Sequence, residues 1–335
     1  MRGKMKKITH VLGTKRLTAD VFATAELVRC LGRRFSFDII IPYGAEYRDM
    51  LLGIGARVIA LDASDGLSLT GVRSFFEFFK ANPADIVHTH ASVAARIGAR
   101  LSGAAKCIST RSASRLASGG RLRARAYNRI TDLTLCIGTV TRDALISEGV
   151  RRDSIVAMEP PMAEPDERKH FFEPRFVSSL PLCEGFGHAT ALRALAILSK
   201  DLDASITFLG DGPLRGELKL LASRLGVGGR VEFCENETTT IVYNSAKMIP
   251  LLTHEEHWEM PIELYVGAFF TPVVSNIPEN RELLSGIGEF YIRGDAFSLA
   301  RSMRRAAFSG VSLLPPVTSY GVELHAGIYE ALLSI

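Results

Sequence analysis

The sequence predicts an α/β protein built from two doubly wound parallel-sheet, Rossmann-like domains facing across a cleft. Three observations predict it. The chain has 335 residues, more than one typical core accommodates. Short apolar runs alternate along it with stretches of helical period, the pattern of a parallel sheet covered by helices. The alternation breaks once, at Glu159-Pro160-Pro161-Met162-Ala163-Glu164-Pro165-Asp166-Glu167-Arg168-Lys169, which is proline-rich, charged and aperiodic, and then restarts. The expected division is a first domain over 1–159, a linker over 160–174, a second domain over 175–317 and a last helix over 318–335.

In the first half, strands are expected at 7–12, 37–42, 57–61, 85–89, 106–109, 133–138 and 154–158. Helical periods fill Ala19–Arg33, Ser68–Ala81, Val93–Leu101 and Arg142–Glu148 between them. In the second half, strands are expected at 175–180, 205–209, 230–234, 247–252, 272–275 and 289–292, and helices at 187–199, 214–225 and 296–307. The apolar segment Tyr320–Leu333 predicts one more helix.

Composition narrows the class. Hydrophobic residues make up 47% and charged residues 23%, so there is ample material for cores. A net charge of +4 is too mild for a nucleic-acid-binding surface spread over the molecule. The basic residues are concentrated instead: Arg111, Arg115, Arg121, Arg123, Arg125 and Arg129 crowd one segment, which is either a solvated face or a contact for anionic lipid or phosphate. The five cysteines (Cys30, Cys107, Cys136, Cys183, Cys234) are scattered without metal spacing and read as free thiols in a reducing compartment. Met1–Lys7 is basic but leads into a short strand, and no apolar run reaches the length of a membrane span. A cytoplasmic protein is expected, with at most peripheral contact to the inner face of an anionic membrane.

The most informative stretch is 206–222. The apolar run Ile206–Leu209 stops at Gly210-Asp211-Gly212-Pro213, and a helical period follows at Leu214, Leu218, Leu221 and Leu225. A tight turn at the carboxyl end of a parallel strand is where open α/β sheets bind ligands, and free N–H groups at a helix start can face an anion.

The motifs together resemble family 4 retaining glycosyltransferases, enzymes of the GT-B fold. The second half carries Phe176-Val177-Ser178-Ser179-Leu180 with Glu184-Gly185, then Leu209-Gly210-Asp211-Gly212-Pro213, Arg230-Val231-Glu232-Phe233, Thr271-Pro272-Val273-Val274-Ser275-Asn276, Arg281-Glu282-Leu283-Leu284 and Gly294-Asp295, in the family's order. The first half carries Pro83-Ala84-Asp85-Ile86-Val87-His88-Thr89-His90, like the family's Pro-Asp-Ile-Val-His-x-His strand end. The resemblance implies transfer of a sugar from a nucleotide-sugar donor to a glycan or glycolipid acceptor, in surface polysaccharide or lipopolysaccharide assembly. It also implies retention, no metal, and no cofactor beyond the donor substrate.

Residue by residue, the resemblance implies that Glu255 or Glu256 contacts the donor sugar and Glu263 the ribose. Glu259 and Trp258 lie in the same loop. Carboxylates suit both tasks because they accept hydrogen bonds from vicinal hydroxyls. Gly210 and Gly212 would shape the nucleotide site. Gly13, His88 and Arg111 would stand on the acceptor side, and His90 joins Glu255 and Glu263 as a catalytic candidate. Pro272 lies nine residues beyond Glu263, where the family usually has seven.

Two departures are chemical. The family grips the diphosphate with an Arg and a Lys; Ser179 and Glu184 occupy those positions. Charge-assisted hydrogen bonds contribute about 1.5–3 kcal/mol each, and opposed unit charges ~5 Å apart at an effective dielectric of ~20 interact by about 3 kcal/mol. A helix N-terminus returns only about 0.3–1 kcal/mol at an exposed site. Arg175, Arg215 and Lys219 are the nearby cations in sequence. The family's glycine pair after the first strand is reduced to Gly13, and the run Ser109–Ser114 lacks its usual histidine. These departures leave a second reading open: a catalytically lapsed relative that binds a glycan or protein partner. Motifs for α/β-hydrolases and P-loop proteins do not occur, and His254-Glu255-Glu256-His257 is only a weak metal pattern.

Overall fold

The computed structural model describes residues 5–61, 68–90, 92–103, 106–111, 121–158, 164–166, 174–234, 248–255, 269–309, 312–314 and 319–334. In chain order the elements are β1 (Lys7–Leu12), α1 (Ala19–Leu31), β2 (Ser36–Pro42), α2 (Arg48–Leu52), β3 (Arg57–Leu61), α3 (Leu69–Ala81), β4 (Ile86–His90), α4 (Val93–Leu101), β5 (Lys106–Arg111), α5 (Arg121–Ile130), β6 (Leu133–Ile137), α6 (Gly138–Ser147) and β7 (Ile155–Met158). They continue with β8 (Glu164–Asp166), β9 (Arg175–Ser178), α7 (His188–Leu198), β10 (Ser205–Phe208), α8 (Arg215–Arg224), β11 (Val231–Phe233), β12 (Ile249–Leu252), β13 (Phe269–Phe270), β14 (Val273–Ser275), α9 (Pro278–Leu284), β15 (Glu289–Tyr291), α10 (Ala296–Phe308), β16 (Ser312–Leu314) and α11 (Ser319–Ser334). Two compact units result: Met1–Glu159 with Thr318–Ile335, and Pro160–Val317.

The first unit is a seven-stranded sheet in the order β3-β2-β1-β4-β5-β6-β7, parallel throughout. Its strands read as apolar runs because both faces are covered. One core packs Ile8, Leu12, Ile39, Ile41 and Ile86 against Val21, Val28 and Leu31 of α1, and it takes in Val322, Ala326 and Tyr329 of α11. The opposite face packs Val11, Ile40 and Val87 on Phe75 and Phe79 of α3 and Ala95 and Ala99 of α4. Helix starts follow local chemistry: Ser68 and Ser92 accept from the backbone N–H groups of Gly71 and Ala95.

The second unit holds a six-stranded parallel sheet in the order β11-β10-β9-β12-β14-β15. Its core joins Phe176, Ile206, Phe208, Ile249 and Leu251 to Leu192 and Leu195 of α7 and Leu299 and Met303 of α10. A small antiparallel sheet, β13-β16-β8, lies beside it. Strand β8 falls inside the stretch expected to be linker: Glu164–Asp166 pairs with Leu314–Ser312. The predicted strands and longer helices recur, mostly within two residues at each end. One local correction concerns the helix expected at Arg142–Glu148, which starts at Gly138, directly after β6. Another concerns Pro213, which lies in the turn before α8 and not in its first turn.

Candidate functional site

In the second unit, the carboxyl edge of the sheet is built from two turns laid on one another. The turn after β10 packs on the turn after β9: Leu182 N–H donates to the Asp211 carbonyl at 3.0 Å and Leu214 N–H to the Leu182 carbonyl at 3.0 Å. Gly210 and Gly212 face the carbonyl oxygens of Leu180 and Leu182, and a Cβ on Gly210 would overlap the Leu180 oxygen. The glycines therefore serve backbone-on-backbone packing. Asp295, in the Gly294-Asp295 turn, caps α10 through the N–H groups of Phe297 and Ser298 at 2.9 and 3.0 Å.

The turn after β9 delivers the chain into α7 through Gly187, which has φ +65° and faces the Thr253 carbonyl where a Cβ would stand. This close approach brings Glu255 to the start of α7. Its N–H donates to the Gly185 carbonyl at 2.6 Å, and Thr190 Oγ1 donates to its Oε1 at 3.4 Å. Arg293 Nη1 donates to its carbonyl at 2.6 Å. A carboxylate so placed is favoured by the helix dipole. The preceding His254 is fully buried; its Nε2–H donates to Asn280 Oδ1 at 3.1 Å, and burial pulls its pKa down to about 4. Ser275 Oγ donates to the His254 carbonyl at 2.6 Å. His254 is thus a neutral strut under Glu255.

Glu184 is exposed on the β9–α7 turn. The cations near it in sequence are committed elsewhere. Arg175 starts β9, at the opposite edge of the sheet, and its fork is taken by Thr207 at 3.2 Å and Glu232 at 3.3 Å. Arg215 donates to the Phe233 carbonyl at 3.1 Å, and Lys219 lies over the Phe233 ring. One cation at the carboxyl edge is Arg293, exposed beside a hollow of about 400 Å³ that it lines with Asn276, Ile277, Pro278 and Ile292. Sequence reasoning missed it because it lies 38 residues from Glu255. Glu256, Trp258, Glu259 and Glu263 lie outside the described residues, as does His257.

In the first unit, the strand register sets His10 of β1 beside His88 of β4, and Leu12 beside His90. The three imidazoles gather on one face, with ring centroids 4.7 to 5.6 Å apart. His88 Nδ1 meets Tyr329 Oη at 2.8 Å and its Nε2 meets Thr110 Oγ1 at 2.7 Å. His10 Nδ1 meets His90 Nε2 at 3.3 Å, and His10 Nε2 meets Tyr329 Oη at 3.3 Å. Thr24 Oγ1 lies 3.3 Å from His90 Nε2. His90 Nδ1 faces Asp20 Oδ1 at 3.7 Å. Burial holds the pKa values of His10 and His88 well below the ordinary histidine value, and the neighbouring imidazoles push the same way. His88 is fully interior with both nitrogens engaged, whereas His90 sits at the end of β4. Gly13 follows β1, and the half-buried Arg111 ends β5. Sequence reasoning missed His10, which looked like one polar residue inside a strand. The available cue was register: it stands two residues before the end of β1, as His88 does in β4.

No family model matches the chain, and no curated protein matches it. Solved structures do. Anabaena Alr3699/HepE in complex with UDP and glucose superposes with a TM-score of 0.69 at 12% identity, covering 99% of this chain and 100% of that one. A glycosyltransferase from Rickettsia africae ESF-5 superposes at 0.67 and 15% identity, covering 98% and 99%. A putative UDP-N-acetylglucosamine 2-epimerase from Listeria monocytogenes gives 0.63 and 13%, covering 99% and 98%. The chain has the GT-B fold, two parallel-sheet α/β domains. Transferase and epimerase names both occur on it, so the reaction must be argued from the sites.

Proposed function

We propose that this protein is a glycosyltransferase that takes a sugar from a uridine-nucleotide donor and passes it to a glycan or glycolipid acceptor in surface polysaccharide assembly. The observation that carries the reading is Glu255, fixed through its backbone by Gly185 and Arg293 at the carboxyl edge of the second sheet. A carboxylate held there accepts hydrogen bonds from the hydroxyls of a donor sugar. UDP-sugar neighbours that share the fold support the uridine nucleotide. In this reading Glu263 accepts from the ribose, Glu256 and Glu259 complete the acidic loop, and Gly210 and Gly212 hold the turns that floor the site. Arg293 supplies the positive charge near the diphosphate that Ser179 and Glu184 do not. Gly13, His90 and Arg111, at the carboxyl ends of β1, β4 and β5, face the acceptor, and His88 acts from beneath His90. Family 4 membership, retention and independence of metal follow the sequence resemblance. Among the described residues no helix is long and apolar enough to cross a membrane. The arginines of 111–129 are proposed to meet an anionic acceptor or the membrane surface at the cytoplasmic face.

A second reading, a lapsed transferase that binds a glycan or protein partner, is favoured by the exposed Glu184, together with Ser179 and the missing glycine pair and histidine of the sequence. Calorimetric titration with UDP, GDP, ADP, CMP and their sugar conjugates separates the two. The enzyme reading expects one uridine nucleotide to bind in the micromolar range, with Glu255→Gln and Glu263→Gln each weakening the sugar conjugate about tenfold, the loss of one charge-assisted hydrogen bond. A folded sample that binds none of them, and gains binding in Ser179→Arg/Glu184→Lys, establishes the lapsed reading.

A further inference from the structure

We propose that His10, His88 and His90 form a buried three-imidazole site for a divalent transition-metal ion of the zinc class. One ring nitrogen of each lies within 4.8 Å of those of the other two, and all three residues are buried. The closest pair, His10 Nδ1 and His90 Nε2, stands at 3.3 Å. A tetrahedral zinc with bonds of about 2.0–2.1 Å has nitrogen-to-nitrogen edges of about 3.3–3.4 Å. The spacing is long for an N–H···N bond and is that of two ligands on one ion.

The outer contacts point the same way. Histidines that ligate a metal turn their second ring nitrogen to an oxygen, which fixes the tautomer and the ring. Two imidazoles do so, His10 Nε2 to Tyr329 Oη at 3.3 Å and His88 Nε2 to Thr110 Oγ1 at 2.7 Å, and His90 Nδ1 faces the Asp20 carboxylate at 3.7 Å, beyond hydrogen-bond reach. The nitrogens left for an ion are His10 Nδ1 and His90 Nε2, which face one another, and His88 Nδ1, which now meets Tyr329 Oη; Thr24 Oγ1 also lies 3.3 Å from His90 Nε2. Without an ion, His90 Nδ1 is a buried nitrogen with no hydrogen-bond partner. An ion on Nε2 fixes the proton on Nδ1 and draws it toward Asp20. Tyr329 Oη, now 2.8 Å from His88 Nδ1, gives up that bond or becomes a fourth donor. Burial favours the neutral, ligating form of His10 and His88, and imidazole ligands suit zinc, copper and nickel over magnesium or calcium. The ion would fasten β1 and β4 to one another, with α11 closed over them through Tyr329. The site shares His88 and His90 with the acceptor side of the sugar-transfer reading, but metal binding is read without donor or acceptor, so either reading can fail alone.

The test uses the full chain without a histidine tag, stripped with a chelator. Zinc is titrated by calorimetry, cobalt by visible absorption, and X-ray absorption is recorded on the zinc-loaded wild type. The expected result is one ion per chain, a tetrahedral cobalt spectrum and a shell of three imidazole nitrogens. Asp20→Asn, a change at a half-exposed position, is expected to weaken binding about tenfold through lost outer-shell support. His90→Asn is expected to abolish it, and Cys30→Ser, at the exposed thiol, to leave it unchanged. Absence of stoichiometric binding, or a wild-type absorption shell without three imidazoles, overturns the proposal and leaves a hydrogen-bonded imidazole network. Binding that survives both Asp20→Asn and His90→Asn overturns it equally.

Discussion

The carboxyl edges of the two sheets are built on opposite plans. In the first unit the polar groups are drawn inward: His10, His88, His90 and Thr110 are buried, and the histidines find partners on α1, β5 and α11. In the second unit the interior strut, His254, is capped off by Asn280, and the charged groups, Glu184 and Arg293, stand in solvent. Burial makes polar groups interdependent, since each unmade bond costs the full desolvation of the group. Exposure leaves them exchangeable. The comparison teaches where change is tolerated: Ser179 and Glu184, where the sequence resemblance expects an Arg and a Lys, stand over a glycine-packed backbone that carries the structure without them.

The strongest way to break that comparison is Gly210→Ala. Its Cβ would overlap the Leu180 carbonyl, so the second unit should lose about 3 kcal/mol, the upper range for overpacking. Gly216→Ala, in α8 with nothing within 4 Å, should instead gain about 0.5–1 kcal/mol. Urea unfolding of both variants measures the contrast, and equal effects would refute backbone packing as the reason for Gly210.

Tyr329→Phe comes next. It strands His88 Nδ1 and His10 Nε2 in the core and should destabilise the first unit by about 2 kcal/mol. A loss below about 0.5 kcal/mol, within the range of ordinary surface changes, would show that the network does not act as a unit.

Acid should then separate the edges. In the metal-free protein, His10, His88 and His254 have folded pKa values below the ordinary value near 6.5. The unfolded chain therefore binds more protons below that pH. Stability is full above about pH 6.5 and falls with acid, by up to about 1.4 kcal/mol per pH unit for each such histidine. For His254 the loss continues to about pH 4. Denaturant midpoints at stepped pH, for wild type and His254→Asn, check this; the variant should show a shallower slope for the second unit.

The smallest effect is expected at Arg34, whose guanidinium reaches Glu323 and Glu330 of α11 at 3.1 and 2.6 Å on the open surface. Exposed pairs of this kind contribute little. Arg34→Ala should leave the melting temperature within experimental scatter, and a clear drop would give the surface a part in holding α11.

The large strands and helices were legible in the sequence because each carries its own period and its own stop. Leu209-Gly210-Asp211-Gly212 announces a strand end in four residues. The small sheet was not legible: β8 is Glu-Pro-Asp, a turn composition, and forms a strand only through Leu314–Ser312, about 150 residues away. Glu255 was legible as a candidate, but its support was not, since Gly185, Thr190 and Arg293 meet it through tertiary contacts. The cluster in the first unit was half legible. His88 and His90 share one strand and were read together, while His10, Asp20, Thr24 and Tyr329 join them only through parallel register and helix packing.

The last helix has a consequence for the order in which the molecule is made. Tyr329, Ala326 and Val322 belong to the core of the first unit, yet they leave the ribosome after the whole of the second. During synthesis the second unit can complete its own core while the first still lacks a wall, with His10, His88 and Phe35 uncovered on that side. The unit begun first is therefore finished last, and a chain that stops short of α11 would carry an intact second unit beside an unclosed first one.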